Sequence, residues 1–418
     1  MNKRDIFLSA LAHKDTGRVP VDFGSTAVTG MHVRSVDGLR KYYGLEKRPV
    51  KIHEPYQMLG WVEDDLAEAM GIHVRGALPR TTMFGFENKG WKEYKLDDGL
   101  DVLVPGGFNV TRDEKGDTYL YPEGDISAPP SGHMPKGGYY FDAIVRQPAF
   151  EEDSLTVEDN LAEFGPVSEI DLRYQKDALE GLRRENTGVI TNFGGTGLGD
   201  IALVPAVQLK YPKGIRDIEE WYVTLVARKG FVRELFEKQT DIAIENLKAY
   251  YAAVGNLPDV AFICGTDFGT QTGTFCSKET FLDLYAPHYR RINDWIHQNT
   301  AWKTFKHSCG AVADFIPLFI DAGFDILNPV QCSCHGMEPE KIKREYGKDI
   351  VFWGGGVDTQ HLLPNGGPDE IRGQVLERLE VFSKGGGYVF NAIHNVQGNV
   401  PVENIAAMIE AAKEFNGR

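Results

Sequence analysis

Long apolar runs and concentrated basic stretches are both missing from this sequence of 418 residues. A helix needs roughly 18 consecutive apolar residues to cross a bilayer, so a membrane anchor is not expected. The formal net charge is −15, and phosphate binding needs clustered Lys and Arg, so nucleic acid is not an expected partner. The hydrophobic share of 42% instead predicts a globular protein with a large core.

Cysteine is also scarce. Five cysteines, an odd number in a chain of this length, argue against a disulfide framework and favour a reactive or metal-bound thiol. The N-terminal stretch carries two basic residues, but its apolar part is short and interrupted, which predicts an amphipathic helix rather than a signal peptide. We therefore expect a cytoplasmic protein.

Short apolar runs alternate with helical stretches along the chain. Eight runs are rich in branched or aromatic residues, and most end near Gly, Asp or Asn: Arg18–Gly24, His73–Ala77, Gly188–Gly194, Asp259–Asp267, Lys303–His307, Asp325–Val330, Ile350–Gly355 and Gly387–Asn391. This alternation predicts an α/β fold with a parallel sheet, and eight units predict a closed (β/α)8 TIM barrel formed by residues 1–418 as a single domain. An open doubly wound sheet is the alternative.

One segment, residues 83–148, breaks the alternation. It is rich in Gly, Asp, Tyr and Pro, and its strand-like fragments are separated by turn signals such as Asp97-Asp98-Gly99. We interpret it as an antiparallel β insertion after the second strand. Loops at that end of a barrel strand lie on the catalytic face, so the insertion could be a lid, and an excursion without catalytic contact is the alternative.

Polar residues gather where the predicted strands end. The carboxyl ends of barrel strands open on one face, where barrel enzymes carry their active sites. Strand ends also favour polar turn residues, so any one of these residues, taken alone, is more often structural. The residues are Asp22, Asn192, Asp267, His307, Cys309, Gln331, Cys332, Cys334, Asp358 and His394.

His307 and Cys309 carry the strongest chemical signal. Residues two apart at a strand end point the same way, so an imidazole and a thiolate can bind one metal ion. Zinc is the expected metal, because it accepts mixed nitrogen and sulfur ligands. A buried histidine beside an inert thiol is the alternative. The third ligand would come from His394, or from Cys332 or Cys334 after the next strand.

Several segments resemble the uroporphyrinogen decarboxylase superfamily. They are Arg18–Pro20, Gly265–Gln271, Lys303–Gly310, Phe324–Gln331, Phe352–Thr359 and Gly387–Gln397. Within that superfamily, the His-x-Cys-Gly element is similar to that of zinc-dependent methyltransferases, which move methyl groups between a corrinoid protein and a thiol or other acceptor. The resemblance spans most of the barrel but not the insertion. Its motifs are specific for the superfamily and much less specific for the reaction.

Two departures from the family pattern bear on the reaction. Family methyltransferases supply a third zinc ligand as a cysteine after the last strand, and that position falls at His394 here. A histidine can also ligate zinc, but decarboxylases of the superfamily carry a histidine in this region that contacts substrate. The chain also lacks the arginine-rich element of uroporphyrinogen decarboxylases and has Asp22-Phe-Gly-Ser-Thr instead. A substrate with eight carboxylates needs such cations, so uroporphyrinogen itself is not expected as substrate.

Three functions are compatible with these observations. In a methyltransferase, His307, Cys309 and His394 would hold zinc, which would activate a thiol or oxygen of a small-molecule substrate for methyl exchange with a corrinoid protein. In a metal-independent decarboxylase, Asp22 or Asp267 would protonate the reacting carbon of a smaller carboxylated substrate, and His394 would hold its carboxylate. A non-catalytic barrel would only bind a small molecule or a corrinoid protein.

The resemblance also implies roles for residues around the predicted metal. Asp267 and Gln271 would line the pocket, with Asp267 as a base or a fourth ligand. Four further residues are expected to contact substrate: Asn192, Gln331, Asp358 and Asn391. The assembly could be a homodimer.

Overall fold

A computed structural model describes residues 1–192 and 197–418. The strands among these residues are β1 (Val50–Glu54), β2 (Leu59–Gly60), β3 (Val74–Ala77), β4 (Lys92–Lys95), β5 (Asp101–Val104), β6 (Val110–Arg112), β7 (Thr118–Leu120), β8 (Gly132–Met134), β9 (Asp142–Ala143), β10 (Gly188–Thr191), β11 (Val260–Cys264), β12 (Lys303–His307), β13 (Ile326–Asn328), β14 (Val351–Trp353) and β15 (Tyr388–Val389).

The helices lie between these strands, and several begin at a capping residue. Ser168 accepts a hydrogen bond from the backbone of Asp171, and Asp217 accepts one from Glu219, at the first turns of two helices. No helix in the described ranges is both long and apolar enough to span a membrane. The helices are α1 (Lys3–Leu11), α2 (Val33–Tyr42), α3 (Asp64–Ala69), α4 (Glu169–Arg183), α5 (Ile218–Ala227), α6 (Lys229–Val254), α7 (Lys278–Thr280), α8 (Ala286–Asn299), α9 (Ile316–Asp321), α10 (Pro339–Tyr346), α11 (Leu362–Asn365), α12 (Pro368–Phe382) and α13 (Val402–Asn416), with a π-helical turn at Phe281–Tyr285.

Seven strands form one parallel sheet in the order β3-β10-β11-β12-β13-β14-β15. β10, β13 and β14 are buried at every residue. Strands covered on both faces read as continuous apolar runs rather than as alternating patterns, which is why these segments are rich in Val, Ile, Leu and Phe. The predicted α/β fold with a parallel sheet is confirmed, and seven of the eight predicted segments are strands in it.

The first predicted strand, Arg18–Gly24, makes only isolated pairings. Val21 forms a single parallel bridge with Phe390, beside β15. Its carbonyl oxygen accepts a hydrogen bond of 2.8 Å from the backbone nitrogen of His73, beside β3. This segment therefore hydrogen-bonds at both edges of the seven-stranded sheet. In the third predicted strand, Phe193 and Gly194 lie outside the described residues.

Helix α1 inserts an aromatic side chain between the strands. Phe7 is fully buried and packs in an apolar cluster with residues of all seven strands of the parallel sheet, among them Ile190 and Trp353. The rings of Phe7 and Trp353 meet edge to face, with centroids 5.6 Å apart. A Cβ atom at Gly188 would lie 2.1 Å from Phe7 Cδ1, so a glycine is needed at the start of β10 for this packing.

The segment 83–148 does not form a separate antiparallel layer. Its strands β4 and β5 join β1 and β2, from before the segment, in a mixed sheet in which β1 and β5 run parallel. Its strands β6 to β9 form an antiparallel sheet. Residues 50–60 were not part of the predicted insertion, so the mixed sheet combines two stretches of chain. The lid role stays a prediction.

Replacing Phe7 by alanine should destabilise the whole fold. The change removes a fully buried ring from the cluster between the strands, and such truncations cost about 3–5 kcal/mol. Equilibrium unfolding in urea measures this loss. The control is Ile170→Ala in α4, where 61% of the side chain is exposed and the expected change is within about 0.5 kcal/mol. Equal losses in the two variants would contradict the role given to Phe7.

Candidate metal centre

The loops that follow β11 and β12 pack backbone against backbone. A Cβ atom at Gly310 would lie 2.2 Å from the carbonyl carbon of Gly269, and Gly310 has φ +92°, so a glycine is required here. The Ser308 hydroxyl accepts a hydrogen bond of 2.9 Å from the backbone of Phe268. These contacts hold the segment from His307 to Gly310 against the end of β11.

Three potential metal ligands converge at this edge of the sheet. The ligand atoms of His307, Cys309 and His394 all lie within 4.8 Å of one another. His307 Nε2 and Cys309 Sγ are 3.4 Å apart. Zinc bonds of about 2.0 Å to nitrogen and 2.3 Å to sulfur, at a tetrahedral angle, separate the two ligand atoms by roughly 3.5 Å. The separation of His307 Nε2 and Cys309 Sγ therefore fits a bound zinc ion, and His394 is the third residue within reach.

Asn328 sets the tautomer of His307. The Asn328 side-chain amide donates to the carbonyl oxygen of Trp353 over 3.0 Å, so its oxygen faces His307. His307 Nδ1 lies 2.7 Å from that oxygen and must carry the proton. Nε2 of His307 is then unprotonated and directed at the sulfur of Cys309, as metal ligation requires.

His394 is held by its neighbour in the loop after β15. Its Nδ1 accepts a hydrogen bond of 2.8 Å from the backbone nitrogen of Asn395. The Asn395 side chain in turn donates to Ala27 O and to Gln57 Oε1, and accepts from Gly30 N. Because Nδ1 accepts, the proton of the neutral His394 ring is on Nε2. Ligation through Nε2 requires that this proton leave or that the ring reorient.

Burial keeps the three candidate ligands uncharged before metal binds. It lowers the pKa of His307 to about 4 and that of His394 to about 4, so both rings are neutral at physiological pH. Burial also raises the pKa of the Cys309 thiol well above its usual range. Zinc binding must therefore displace the thiol proton, and the positive ion would offset the cost of a buried thiolate.

Asp267 lies beside the three ligands. Its Oδ1 accepts a hydrogen bond of 2.6 Å from the backbone nitrogen of Cys309 and is 3.9 Å from His307 Nε2. Burial raises the pKa of this carboxyl, while the bond from Cys309 and the charge of Lys306 lower it. The carboxyl thus fixes the loop that carries Cys309 and borders the space between the ligands.

The rival cysteines lie outside the group of converging ligands. Cys334 donates to Gln271 Oε1 over 3.2 Å, and Cys332 donates to the carbonyl oxygen of Val330 over 3.4 Å. Gln331 Oε1 accepts from the backbone of Gly310 at 2.9 Å. Through these hydrogen bonds, Gln271 and Gln331 stabilise the loops around the ligands.

Four other predicted site residues make structural hydrogen bonds. Asp22 is fully buried and accepts from Ser25 and from the Trp353 indole, and its catalytic role stays a prediction. The Asn192 amide donates to backbone carbonyls, and so does that of Asn391, which reaches Asp22 O. Asp358 accepts from the backbone of the turn that follows it.

Sequence reasoning missed three residues at this edge. Asn328 ends β13 beside His307, and a polar residue at a strand end was an available signal. Lys306 is a lysine inside an apolar strand; it is buried among Phe268, Tyr289 and Phe319, and donates to the carbonyl oxygens of Thr266 and His307. Asp200 follows a glycine-rich stretch of sequence, which by itself predicts only a loop.

Comparisons with known proteins agree with the fold. A family model for uroporphyrinogen decarboxylase (URO-D) matches residues 140–415. The uroporphyrinogen decarboxylase of Methylococcus capsulatus is 34% identical over 96 residues, 23% of this chain and 25% of that protein. That of Mannheimia succiniciproducens is 23% identical over 259 residues, 60% of this chain and 66% of that protein. The chain thus spans a quarter of the first relative and just under two thirds of the second.

A solved structure matches over nearly the full length. A methyltransferase from Methanosarcina mazei covers 99% of this chain and 99% of its own, with a TM-score of 0.54 and 16% sequence identity. At this identity the likeness concerns the fold.

Replacing Asn328 by leucine should weaken zinc binding. The variant removes the acceptor that keeps the proton on His307 Nδ1, and loss of such a partner costs about 10- to 100-fold in metal affinity. Competition with a chromophoric chelator measures the dissociation constant. The control is Asn299→Leu at the exposed end of α8, which should bind zinc like the wild type. Unchanged affinity in a folded Asn328→Leu protein would remove Asn328 from the site.

Proposed function

We propose that this chain, which belongs to the uroporphyrinogen decarboxylase (URO-D) family, is a zinc-dependent methyltransferase built on a (β/α)8 barrel. It would move a methyl group between a small-molecule substrate and a corrinoid protein or a thiol. The observation that carries the proposal is the convergence of His307, Cys309 and His394 at the carboxyl edge of the parallel sheet. A mixed nitrogen and sulfur set with three protein ligands is typical of catalytic zinc sites, which keep one position open.

The proposed chemistry follows from this ligand set. Zinc, when bound, would lower the pKa of a coordinated thiol or hydroxyl and so make it a better nucleophile or leaving group. His307 presents an unprotonated Nε2 because Asn328 holds its Nδ1 proton. Asp267 orients the Cys309 backbone. The burial of His307 keeps bulk water from this ligand, which strengthens electrostatic interactions within the site.

The decarboxylase alternative has less support from the residues at this edge. A carboxylated substrate needs a cation to hold it. Lys306 and His394 both lower the pKa of Asp267. The ammonium group of Lys306 is buried and donates to two backbone carbonyls, so it is already engaged within the protein. Asp22, the other acid considered for carbon protonation, is enclosed by Ser25 and Trp353.

Zinc content is the first test. Purified protein should hold one zinc ion per chain, and His307→Ala, Cys309→Ser and His394→Ala should each weaken its retention by about ten-fold or more. Elemental analysis after dialysis against a chelator measures this. The zinc-loaded wild type should also transfer a methyl group from methylcobalamin to 2-mercaptoethanol, and the three variants should lose this activity.

Two variants outside the ligand group serve as matched controls. Cys276→Ser changes a half-buried thiol, and His361→Ala changes an exposed imidazole; both should keep zinc. A wild-type protein without stoichiometric zinc would end the methyltransferase proposal. Loss of zinc in Cys276→Ser equal to that in Cys309→Ser would show that the loss is not specific to the proposed ligands.

A further inference from the structure

The two histidines of the candidate metal centre are held in opposite tautomers. His307 donates from Nδ1 to Asn328 over 2.7 Å, so the lone pair of its ring is on Nε2 and is directed at the Cys309 sulfur. His394 accepts at Nδ1 a hydrogen bond of 2.8 Å from the backbone nitrogen of Asn395. A neutral imidazole has a single nitrogen lone pair for a hydrogen bond or a metal ion. In His394 that lone pair is therefore already occupied.

The His394 ring lies near the other ligands, but its tautomer does not suit ligation. Its centroid is 5.3 Å from that of His307, and its ligand atom lies within 4.8 Å of those of His307 and Cys309. Nε2 can bind a metal ion only if Nδ1 takes the ring proton, and Nδ1 can bind one only without the hydrogen bond from Asn395. Either route breaks that hydrogen bond.

The side chain of Asn395 fixes the donor of this hydrogen bond. Its Oδ1 accepts a hydrogen bond of 2.6 Å from the backbone nitrogen of Gly30. Its Nδ2 donates to the carbonyl oxygen of Ala27 and to Gln57 Oε1, each over 2.7 Å. Both N–H groups of the amide are thus used, and the residue is buried. A buried backbone N–H that is held in this way costs free energy when it loses its acceptor.

The main chain after Asn395 is paired as well. The Val396 nitrogen donates to the carbonyl oxygen of Gly30 over 3.1 Å, and the Val396 oxygen accepts from the backbone of His32 over 2.8 Å. Both partners lie in the segment just before α2. Main-chain and side-chain contacts together therefore hold the backbone of Asn395, and the His394 ring is the part that must give up the contact when it ligates.

Gln57 connects Asn395 to the mixed sheet. It lies on the turn between β1 and β2, where Glu54 accepts hydrogen bonds of 3.0 and 2.7 Å from the backbones of Tyr56 and Gln57. The carbonyl oxygen of Tyr56 accepts a hydrogen bond of 2.8 Å from the backbone of Phe141, next to β9. The turn that carries Gln57 is thereby attached to both of the smaller sheets. A residue outside the parallel sheet thus supports the backbone beside the third ligand.

We infer that Asn395 is a positioning residue that holds His394 in the tautomer unable to ligate, and that Gln57 supports Asn395 in this role. The inference rests on the proposed function and adds an order among its ligands. His307 already presents its lone pair, whereas His394 joins only when the hydrogen bond from Asn395 is broken. His394 is therefore the more weakly committed histidine, and its released ring has a hydrogen-bond partner beside it.

The tautomers of the metal-free protein provide the first test. NMR of the full chain with isotope-labelled histidines separates the two neutral tautomers by the shifts of their ring nitrogens, and His307→Ala and His394→Ala assign the signals. His394 should carry its proton on Nε2 and His307 on Nδ1. In Asn395→Ala, His394 should show a mixture of the two tautomers. A metal-free wild type with the His394 proton on Nδ1 would overturn the inference.

Zinc affinity provides the second test, by competition with a chromophoric chelator. Asn395→Ala should bind zinc about five-fold more tightly than the wild type, because its loosened backbone can turn the N–H group to water when His394 ligates. Gln57→Leu should shift the affinity in the same direction by less, since the contacts of Asn395 with Gly30 and Ala27 remain. Gln57→Glu keeps an acceptor oxygen and should bind zinc like the wild type.

Two comparisons separate this role from a general effect on the fold. Gln298→Leu on the exposed part of α8 should leave zinc affinity unchanged, and the gain of Asn395→Ala should disappear when His394 is also replaced by alanine. Weaker or unchanged zinc binding in Asn395→Ala, or a gain that persists without His394, would overturn the inference; if that variant does not fold, Gln57→Leu takes its place. A wild type without stoichiometric zinc would instead overturn the proposed function, and the tautomers of the metal-free protein would still decide the role of Asn395.

Discussion

The parallel pairing of β12 with β13 is the constraint on which the candidate metal centre depends. It sets His307 opposite Asn328 at the ends of the two strands, and the hydrogen bond between their side chains then decides which imidazole nitrogen is free. The same pairing presents the following turn to the loop after β11, where Gly269 and Gly310 allow close backbone contact. His307 and Cys309 are therefore positioned by backbone geometry before any metal binds.

Desolvation is the second physical feature of this region, and it is the largest cause of the pKa shifts of five groups here. It leaves His307 and His394 neutral, keeps the Cys309 thiol protonated, and raises the pKa of Asp200 and Asp267. Lys306 is a buried cation behind the strand, held by carbonyl oxygens and aromatic rings. An edge of this kind favours binding of a cation between the neutral ligands, because the ion compensates the charge that the thiolate acquires.

Much of the fold was predictable, because apolar runs and turn residues report directly on local structure. Seven strands of the sheet lie within the predicted segments. The first predicted segment is not a continuous strand, because Val21 makes one bridge and isolated hydrogen bonds at the two sheet edges. An apolar run in the sequence does not show whether its pairing is continuous or isolated. The mixed sheet was missed because β1, which pairs with β5, comes from before the predicted insertion.

The sequence by itself determined the order of the seven strands of the parallel sheet, and it singled out His307 and Cys309, because residues two apart at a strand end share a side. Only the tertiary structure decided that the ligand atoms of His394 converge with theirs while those of Cys332 and Cys334 do not, and that Asp22 is buried against Ser25 and Trp353. These relations join residues far apart in the chain. They depend on how the sheet curves and which loops touch, which local spacing does not encode.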